Sequence, residues 1–212
     1  MTSDGRGEGA GRAGRPGRRS GNPEPYTPAS LVEVAARAFN ERGYDATSME
    51  DLSRAAGITK SSFYHHVAGK EALLRAALDR ALDGLFDILA EPAAVDGAPL
   101  ARLRHIVRRQ VEVLATELPY VTLLLRLRGN TETERWALDR RREFDQTVAG
   151  LVTAAVDAGA VRPDVHPVVA ARLLSGTVNS LIEWYRPGRV PLEDLVDAVD
   201  RQVFEGLRRD DV

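Results

Sequence analysis

Cysteine is absent from this 212-residue chain, and lysine occurs only at Lys60 and Lys70, against 27 arginines. Without cysteine there is no disulfide framework and no thiolate chemistry, which is compatible with a reducing cytosol. The sequence also lacks the run of about 20 apolar residues that a membrane helix needs, and its N-terminus lacks the apolar core of a secretory signal. We therefore expect a cytoplasmic protein with no membrane partner.

Signals of catalysis and of metal binding are also missing. The sequence has no G-x-S-x-G elbow, no phosphate loop of the P-loop type and no paired-carboxylate motif in a fitting context. His65 and His66 are adjacent, so on a helix they point about 100° apart and cannot easily share one metal. His105 and His166 are isolated. We expect no catalytic residue, no metal site and no cofactor, and thus a protein that is not an enzyme.

Charge is nearly balanced, with a formal net charge of −2, and hydrophobic residues make up 43% of the chain. This composition is typical of a globular protein, and any surface for nucleic acid must be local. Residues 1–25 differ, because they consist largely of glycine, arginine and proline, and we expect them to be disordered. Five arginines between Arg6 and Arg19 leave two interpretations open: a solvated tail, or a basic arm that contacts phosphates or a minor groove.

From residue 26 onwards the apolar residues recur at helical spacing, and no alternating pattern indicates a sheet. About nine helices are predicted: three short ones, one linking helix and five in a larger C-terminal body. The first ends near Gly43, the second at Gly57 and the third before Gly69, after which a long helix begins at Lys70. The predicted fold is therefore all-α. Its units are a tail (1–25), a three-helix domain (26–75) and a larger helical bundle (76–212).

The second and third helices, separated by a tight turn at Gly57, form a helix-turn-helix, whose second helix enters the DNA major groove. Such a helix needs polar groups at its N-terminal end and on its outer face, while Phe63 should turn inward. Phosphates can be contacted by the hydroxyl and N–H groups at the start of the preceding helix, and by the lysine ammonium at the start of the following helix. The predicted DNA-binding residues are Thr47, Ser48, Lys60, Ser61, Ser62, Tyr64, His65 and Lys70.

The segment from Ala35 to Leu78 closely resembles the DNA-binding domain of TetR-family transcriptional repressors. The family's marks stand here as F-x-E-x-G-Y-x-x-T-S, A-G-I-x-K-x-x-F-Y-x-H and K-E-x-L, in order over 44 residues. Val67 replaces the usual phenylalanine, a conservative core change. The resemblance implies that all the predicted DNA-binding residues except Ser48 match positions that meet DNA. It also implies that residues 26–75 are a DNA-binding domain and that the bundle 76–212 binds ligand and dimerises through its last two helices, 165–186 and 191–209. The homodimer would bind a palindromic operator, and a small effector would release it.

A second resemblance concerns EWYRPGRVPL, from Glu183 to Leu192. It is similar to a WYRPGG element of TetR-like repressors that respond to acyl-CoA thioesters, with Arg189 in place of the second glycine. It implies that Trp184 and Arg186 lie near a bound thioester or its phosphates, whereas the plain alternative is a helix end with a Pro-Gly stop. The predicted ligand-binding residues are Leu123, Leu127, Trp136, Ile182, Trp184 and Arg186, with Leu124 as a further apolar wall.

Three functions stay open at this point. The first is a ligand-responsive repressor that binds an operator and an acyl-CoA. The second is a TetR-type regulator that responds to an uncharged lipophilic compound. The third is an all-helical enzyme or adaptor whose helix-turn-helix is only a packing motif. Salt-dependent binding to duplex DNA separates the third from the other two.

Overall fold

Helices build the part of the chain that the computed structural model describes, residues 26–205. Eleven helices and no β-strand occur in that part, so the all-α prediction is confirmed. The predicted tail (1–25) and residues 206–212 lie outside it. In chain order the helices are α1 (Pro28–Arg42), α2 (Met49–Ala56), α3 (Lys60–His66), α4 (Lys70–Ala90), α5 (Pro92–Val95), α6 (Pro99–Thr116), α7 (Leu118–Leu125), α8 (Glu132–Asp157), α9 (Pro167–Asn179), α10 (Leu181–Trp184) and α11 (Leu192–Glu205).

Two single-turn helices account for the difference from the nine that were predicted. One is α5, which begins at Pro92 directly after α4. The other is α10, because the helix expected over 165–186 is interrupted at Ser180. The Ser180 hydroxyl donates a hydrogen bond to the carbonyl oxygen of Thr177 at 2.7 Å. Such a side-chain bond competes with the backbone ladder and favours a break at this position.

The N-terminal unit, called the head below, comprises residues 26–75, and the body comprises residues 76–205. In the head, α1 packs on α4 and α7, while α2 packs on α1 and α3. Helix α4 also packs on α6, α7 and α8. Its buried side chains recur every three or four residues, as Leu74, Leu78 and Leu82 show, and this spacing places them on one face. Because α4 crosses residue 75, it belongs to both units and connects them mechanically.

The body is built around α6 and α8, with α9 against both and α11 against α6. Helix α11 buries Leu195, Val199 and Val203, with Asp200 buried in the same stripe. The Asp200 carboxylate accepts hydrogen bonds from the Arg104 guanidinium of α6, with Nε at 2.7 Å from Oδ1. A buried carboxylate needs such partners because burial removes its hydration. Of the helices in the described residues, none is long and apolar enough to cross a membrane.

Candidate nucleic-acid interface and ligand cavities

The turn before α3 is defined at both of its ends, by Gly57 and by Thr59, and this sets where α3 begins. Gly57 ends α2 with a left-handed φ of 70°, which glycine adopts without strain. Thr59 then caps α3, since its hydroxyl oxygen accepts the N–H of Ser62 at 3.1 Å. Phe63 has no exposed surface and anchors the helix on the head's core, whereas Tyr64 is 48% exposed. The sequence thus fixes which face of α3 points outward.

The outward face carries the side chains that were predicted to meet DNA. Lys60, Ser61 and His65 are exposed beside Tyr64, and Ser62 is half-buried. An ammonium, two hydroxyls, an imidazole and a phenol offer donors and acceptors for base edges and phosphates. Because they lie on a short capped helix that projects from the head, they form one surface suited to a major groove.

Thr47 and Ser48 lie at the start of α2, but their hydroxyl groups are not free. Thr47 is buried, and its hydroxyl donates to the carbonyl oxygen of Gly43 at 2.7 Å. The Ser48 hydroxyl donates to the Asp51 carboxylate at 2.5 Å and accepts the Asp51 N–H in a capping box. These bonds from Ser48 lower the pKa of Asp51 below its ordinary value. In this conformation the predicted phosphate contacts of Thr47 and Ser48 would require these bonds to rearrange.

Lys70 connects the start of α4 to the α1–α2 turn. Its Nζ donates to the carbonyl oxygen of Tyr44 at 2.9 Å and lies 4.2 Å from the centroid of the Tyr44 ring. Two of its three N–H groups remain for a phosphate. Among the described residues no side chain caps the first turn of α4, which begins after Gly69. An uncapped helix start next to an ammonium is a favourable place for a phosphate.

A first cavity, called the junction cavity below, lies between head and body and has a volume of about 360 Å³. Its head wall is the end of α1 and the turn up to Ala46, and its body wall is α7 with the loop that follows it. Glu134 of α8 closes the body side. The lining residues are Phe39, Asn40, Arg42, Gly43, Tyr44, Asp45, Ala46, Leu123, Arg126, Leu127, Arg128, Asn130 and Glu134.

A second cavity, called the bundle cavity below, lies inside the body between α4, α6, α7, α8 and α9. Its volume is about 30 Å³, enough for a water molecule but not for a metabolite. Polar side chains on it include Gln110, Asp145 and Ser175, and the Ser175 hydroxyl lies 3.4 Å from Asp145 Oδ1. Burial raises the pKa of the Asp145 carboxyl, and the nearby Arg141 guanidinium opposes this. A ligand would have to open this cavity.

The predicted ligand-binding residues do not gather in one cavity of the described structure. Leu123 and Leu127 line the junction cavity, and the additional Leu124 lines the bundle cavity. Trp136 is covered by the Arg75 guanidinium, whose carbon lies 3.4 Å from the ring centroid. Ile182 is half-buried in the single-turn helix α10. Trp184 is 54% exposed. Arg186 is exposed and donates to the carbonyl oxygens of Tyr185 (2.7 Å) and Glu183 (3.3 Å).

An exposed apolar face lies on α9. Leu173 is 67% exposed and Val169 is exposed one turn before it. Both line an open groove of about 420 Å³ that also includes Val203 of α11. A side chain added at Gly176 would meet nothing within 4 Å, so this part of α9 is uncovered in the described residues. The two helices predicted to dimerise therefore present apolar surface that another helix could cover.

The polar side chains of the bundle cavity are not among the residues predicted from the sequence. Gln110 could have been found, because it follows Ile106 and Val107 at helical spacing and so falls on the buried face of α6. Ser175 has the same signal, because it follows Ala171 and Leu174 at helical spacing and so falls on the buried face of α9. Asp145 is a half-buried charged residue next to the buried Phe144, and no pattern marks it. Their proximity depends on the packing of α8 against α9, which no local pattern specifies.

Family models match both units of the chain. Residues 31–77 match the model described as bacterial regulatory proteins, tetR family. Residues 96–207 match the model described as tetracyclin repressor-like, C-terminal domain.

Individual proteins match over nearly the whole length. The chain is 31% identical over 202 residues to the HTH-type transcriptional repressor KstR2 of Rhodococcus jostii, which covers 92% of this chain and 93% of that protein. The crystal structure of SCO3833, a TetR-family member from Streptomyces coelicolor A3, is 60% identical with a TM-score of 0.80, covering 87% of this chain and 94% of that one. The structure of AibR with isovaleryl coenzyme A and operator DNA is 27% identical with a TM-score of 0.71, covering 84% and 97%.

Proposed function

Because the chain belongs to the tetR family of bacterial regulatory proteins, we propose that it is a ligand-responsive transcriptional repressor and not an enzyme. The observation that carries this proposal is α3, a capped helix with Phe63 fully buried and with Lys60, Ser61 and Tyr64 facing outward. Such a surface can enter a major groove and bond to base edges. Since it has to meet its operator, we place the protein in the cytoplasm.

The operator would be a near-palindrome bound by two copies of the chain. A two-fold axis through the apolar face of α9 would bury Val169 and Leu173, next to Val203 of α11, and present two heads on one side. Each head would then place α3 in a separate major groove about one helical turn apart. The exposed Gly176 supports this arrangement, because glycine lets two helices approach closely.

For the effector we propose an acyl-CoA thioester. The EWYRPG segment supports it, because Arg186 is exposed and a guanidinium binds phosphates and carbonyl oxygens through paired donors. The similarity to AibR, whose structure contains isovaleryl coenzyme A, points in the same direction. The acyl group would open the bundle cavity, where Leu114, Leu124 and Phe144 supply apolar contacts.

An uncharged lipophilic compound is the second candidate. The observation that favours it is the set of polar groups in the bundle cavity, since Gln110 and Ser175 could bond a hydroxyl or a keto group. Such a ligand would have no charge to place near Arg186.

Fluorescence anisotropy with an inverted repeat from the protein's own promoter tests the proposal. We expect binding that weakens steeply as salt rises, and release upon addition of an acyl-CoA but not of its free acid. Equal affinity for any duplex at all salt concentrations would contradict the proposal that the protein is a repressor. Release by neutral compounds alone would favour the second effector class.

A further inference from the structure

The junction cavity is rich in guanidinium groups. Arg42, Arg126 and Arg128 line it from the head and from the loop after α7. Arg126 has an exposed and long ion pair, 3.7 Å from Glu183, and Arg42 lies 3.4 Å from Asp51. Exposed pairs of this length contribute little, so both arginines can turn to a stronger anion. Three arginines around one cavity favour an anionic ligand.

Two carboxylates face the same cavity, and their influence differs. Glu134 is buried, and its Oε2 accepts the backbone N–H groups of Arg128 (3.2 Å), Gly129 (2.8 Å) and Asn130 (3.0 Å). Three such donors already compensate its charge. Asp45 is exposed to solvent, which screens it. The arginines therefore dominate the field at the mouth of the cavity.

The inner part of the cavity is apolar and aromatic. Phe39 and Tyr44 meet edge to face there, 5.2 Å apart, opposite Leu123 and Leu127. Asn40 also lines it. Its Nδ2 must face the carbonyl oxygen of Pro119, to which it donates at 2.7 Å, so its Oδ1 is buried with no hydrogen-bond partner among the described residues. An unpaired buried acceptor is unfavourable and calls for a donor.

A nucleotide matches these features. Its planar base fits the apolar floor, its amino or hydroxyl donors can pair with the free acceptor, and its phosphates can bind the arginines at the rim. We propose that the junction cavity binds the nucleotide end of coenzyme A, so that the effector lies across head and body. This inference rests on the acyl-CoA function proposed above. Helix α7 supports it, because Leu123 lines the junction cavity and Leu124 lines the bundle cavity, so one helix separates the two ends of the ligand.

The position of the cavity explains how the ligand would act on DNA binding. The turn from Arg42 to Ala46 forms its head wall and leads directly into Thr47 and α2. On the body side, Thr133 next to Glu134 donates to Glu71 at the start of α4, at 2.8 Å. A nucleotide between these walls fixes the tilt of the head, and it shifts the balance toward the state that binds it better.

Calorimetry with adenosine 3′,5′-bisphosphate tests the site directly. We expect binding to the wild type, and a loss of about tenfold or more in Arg126→Gln/Arg128→Gln, because charge-assisted hydrogen bonds are removed. Arg142→Gln is the matched control, since Arg142 is exposed on α8 and pairs with Asp139 away from the cavity. Asn130→Trp should block the cavity without removing a charge. No binding to the wild type, or equal binding by the double variant, overturns the proposal.

Operator release separates this proposal from the function on which it rests. The test compares octanoyl-CoA with S-octanoyl-pantetheine, which keeps the thioester but lacks the nucleotide. Release of the operator is expressed relative to each variant's own operator affinity. In the wild type and in Arg142→Gln, octanoyl-CoA should release the operator at about tenfold lower concentration than S-octanoyl-pantetheine does. In Arg126→Gln/Arg128→Gln the two thioesters should act at the same concentration. If both thioesters release the operator equally, the acyl-CoA function stands and the nucleotide site is wrong. If neither does while the bisphosphate binds through Arg126 and Arg128, the site stands and the acyl-CoA function falls.

Discussion

Different kinds of contact stabilise the DNA-facing surface of the head and the core of the body. In the head the positions of α2 and α3 depend on bonds between residues three apart, Ser48 with Asp51 and Thr59 with Ser62. In the body, α11 is held to α6 by Arg104 and Asp200, which are 96 residues apart. Local bonds shape the two helices of the predicted DNA-binding surface, whereas a long-range ion pair joins two helices of the body.

This difference shows why one chain can keep its DNA-binding surface and still respond to a ligand. The local bonds of α2 and α3 lie wholly within the head, so a rearrangement of the body would leave the outward face intact while changing its position. Helix α4 is common to both units, and Lys70 and Glu71 at its start bond to Tyr44 on the head and Thr133 on the body. A movement of the body would therefore reach the head through α4 as a change in orientation.

Phe63→Ala should have the largest effect and break the head alone. Phe63 is fully buried, and removal of a buried phenylalanine costs about 3–5 kcal/mol of the free energy of unfolding. We expect operator binding to disappear and an early unfolding phase to appear in thermal denaturation followed by circular dichroism. Tyr64→Ala, at the exposed neighbouring position, should reduce operator affinity and leave the melting curve unchanged. A single unshifted transition for Phe63→Ala would show that α3 does not depend on its anchor.

Asp200→Ala should break the body instead. The Asp200 side chain is 3% exposed and bonds to Arg104, so its loss should cost roughly 2 kcal/mol, the usual value for a hydrogen bond to a charged group. Asp197→Ala is the matched control on the same helix, because Asp197 is 47% exposed and its pair with Arg108 should contribute less than about 1 kcal/mol. Urea denaturation measures both. Equal losses for the two variants would mean that burial does not distinguish these ion pairs.

Lys60→Ala and Lys70→Ala should weaken operator binding without a change in the body. Each removes one ammonium that is predicted to lie near the DNA, which should lower the slope of log affinity against log salt by roughly one. Lys70→Ala should act nearly equally on all sequences, and it also removes the bond to the Tyr44 carbonyl oxygen. Anisotropy at several salt concentrations measures the slopes, with Arg142→Gln as the control for a lost positive charge. If both lysine variants bind the operator like the wild type, their assigned roles are wrong.

Asp145→Asn should have the smallest effect, confined to the body and dependent on pH. Burial raises the folded-state pKa of Asp145 above its ordinary value of about 4, so the folded protein holds this proton more tightly than the unfolded chain does. The stabilising contribution is complete below about pH 4 and is lost as pH rises through the raised pKa.

At neutral pH the ionised carboxylate therefore opposes folding, and Asp145→Asn should raise the free energy of unfolding relative to the wild type. The gain should disappear in acid. Urea denaturation between about pH 4 and 7 tests this, with Asp139→Asn as the control for a charge change at an exposed position of α8. A variant that is less stable than the wild type at pH 7 would contradict it.

The sequence allowed the head to be predicted almost completely, because its signals are local. Gly57 supplies a left-handed turn, and Thr59 begins a helix whose inward side chain is Phe63. Residues 28–90 accordingly contain the predicted helices with nearly the predicted ends. The side-chain directions at the start of α2 were not predictable, because a pattern identifies a residue but not its rotamer. The hydroxyl of Thr47 is turned to the carbonyl oxygen of Gly43, and that of Ser48 to the Asp51 carboxylate.

The body could be predicted as a set of helices but not as a site. Trp136 was expected in a ligand pocket, yet Arg75 lies over its ring from a helix that starts more than sixty residues earlier. Gln110, Asp145 and Ser175 meet because three helices pack at particular angles. Periodicity predicts which face of a helix is buried but does not predict which buried faces meet.

The scarcity of lysine has a consequence for chemical footprinting. An amine-reactive reagent can modify only two side chains in this protein, and both belong to the surface predicted to meet DNA. Lys60 is exposed, while Lys70 is half-buried and bonded to the Tyr44 carbonyl oxygen, so Lys60 should be labelled first. Mass spectrometry of the two peptides would then report protection by the operator at two positions of the head, without any engineered probe.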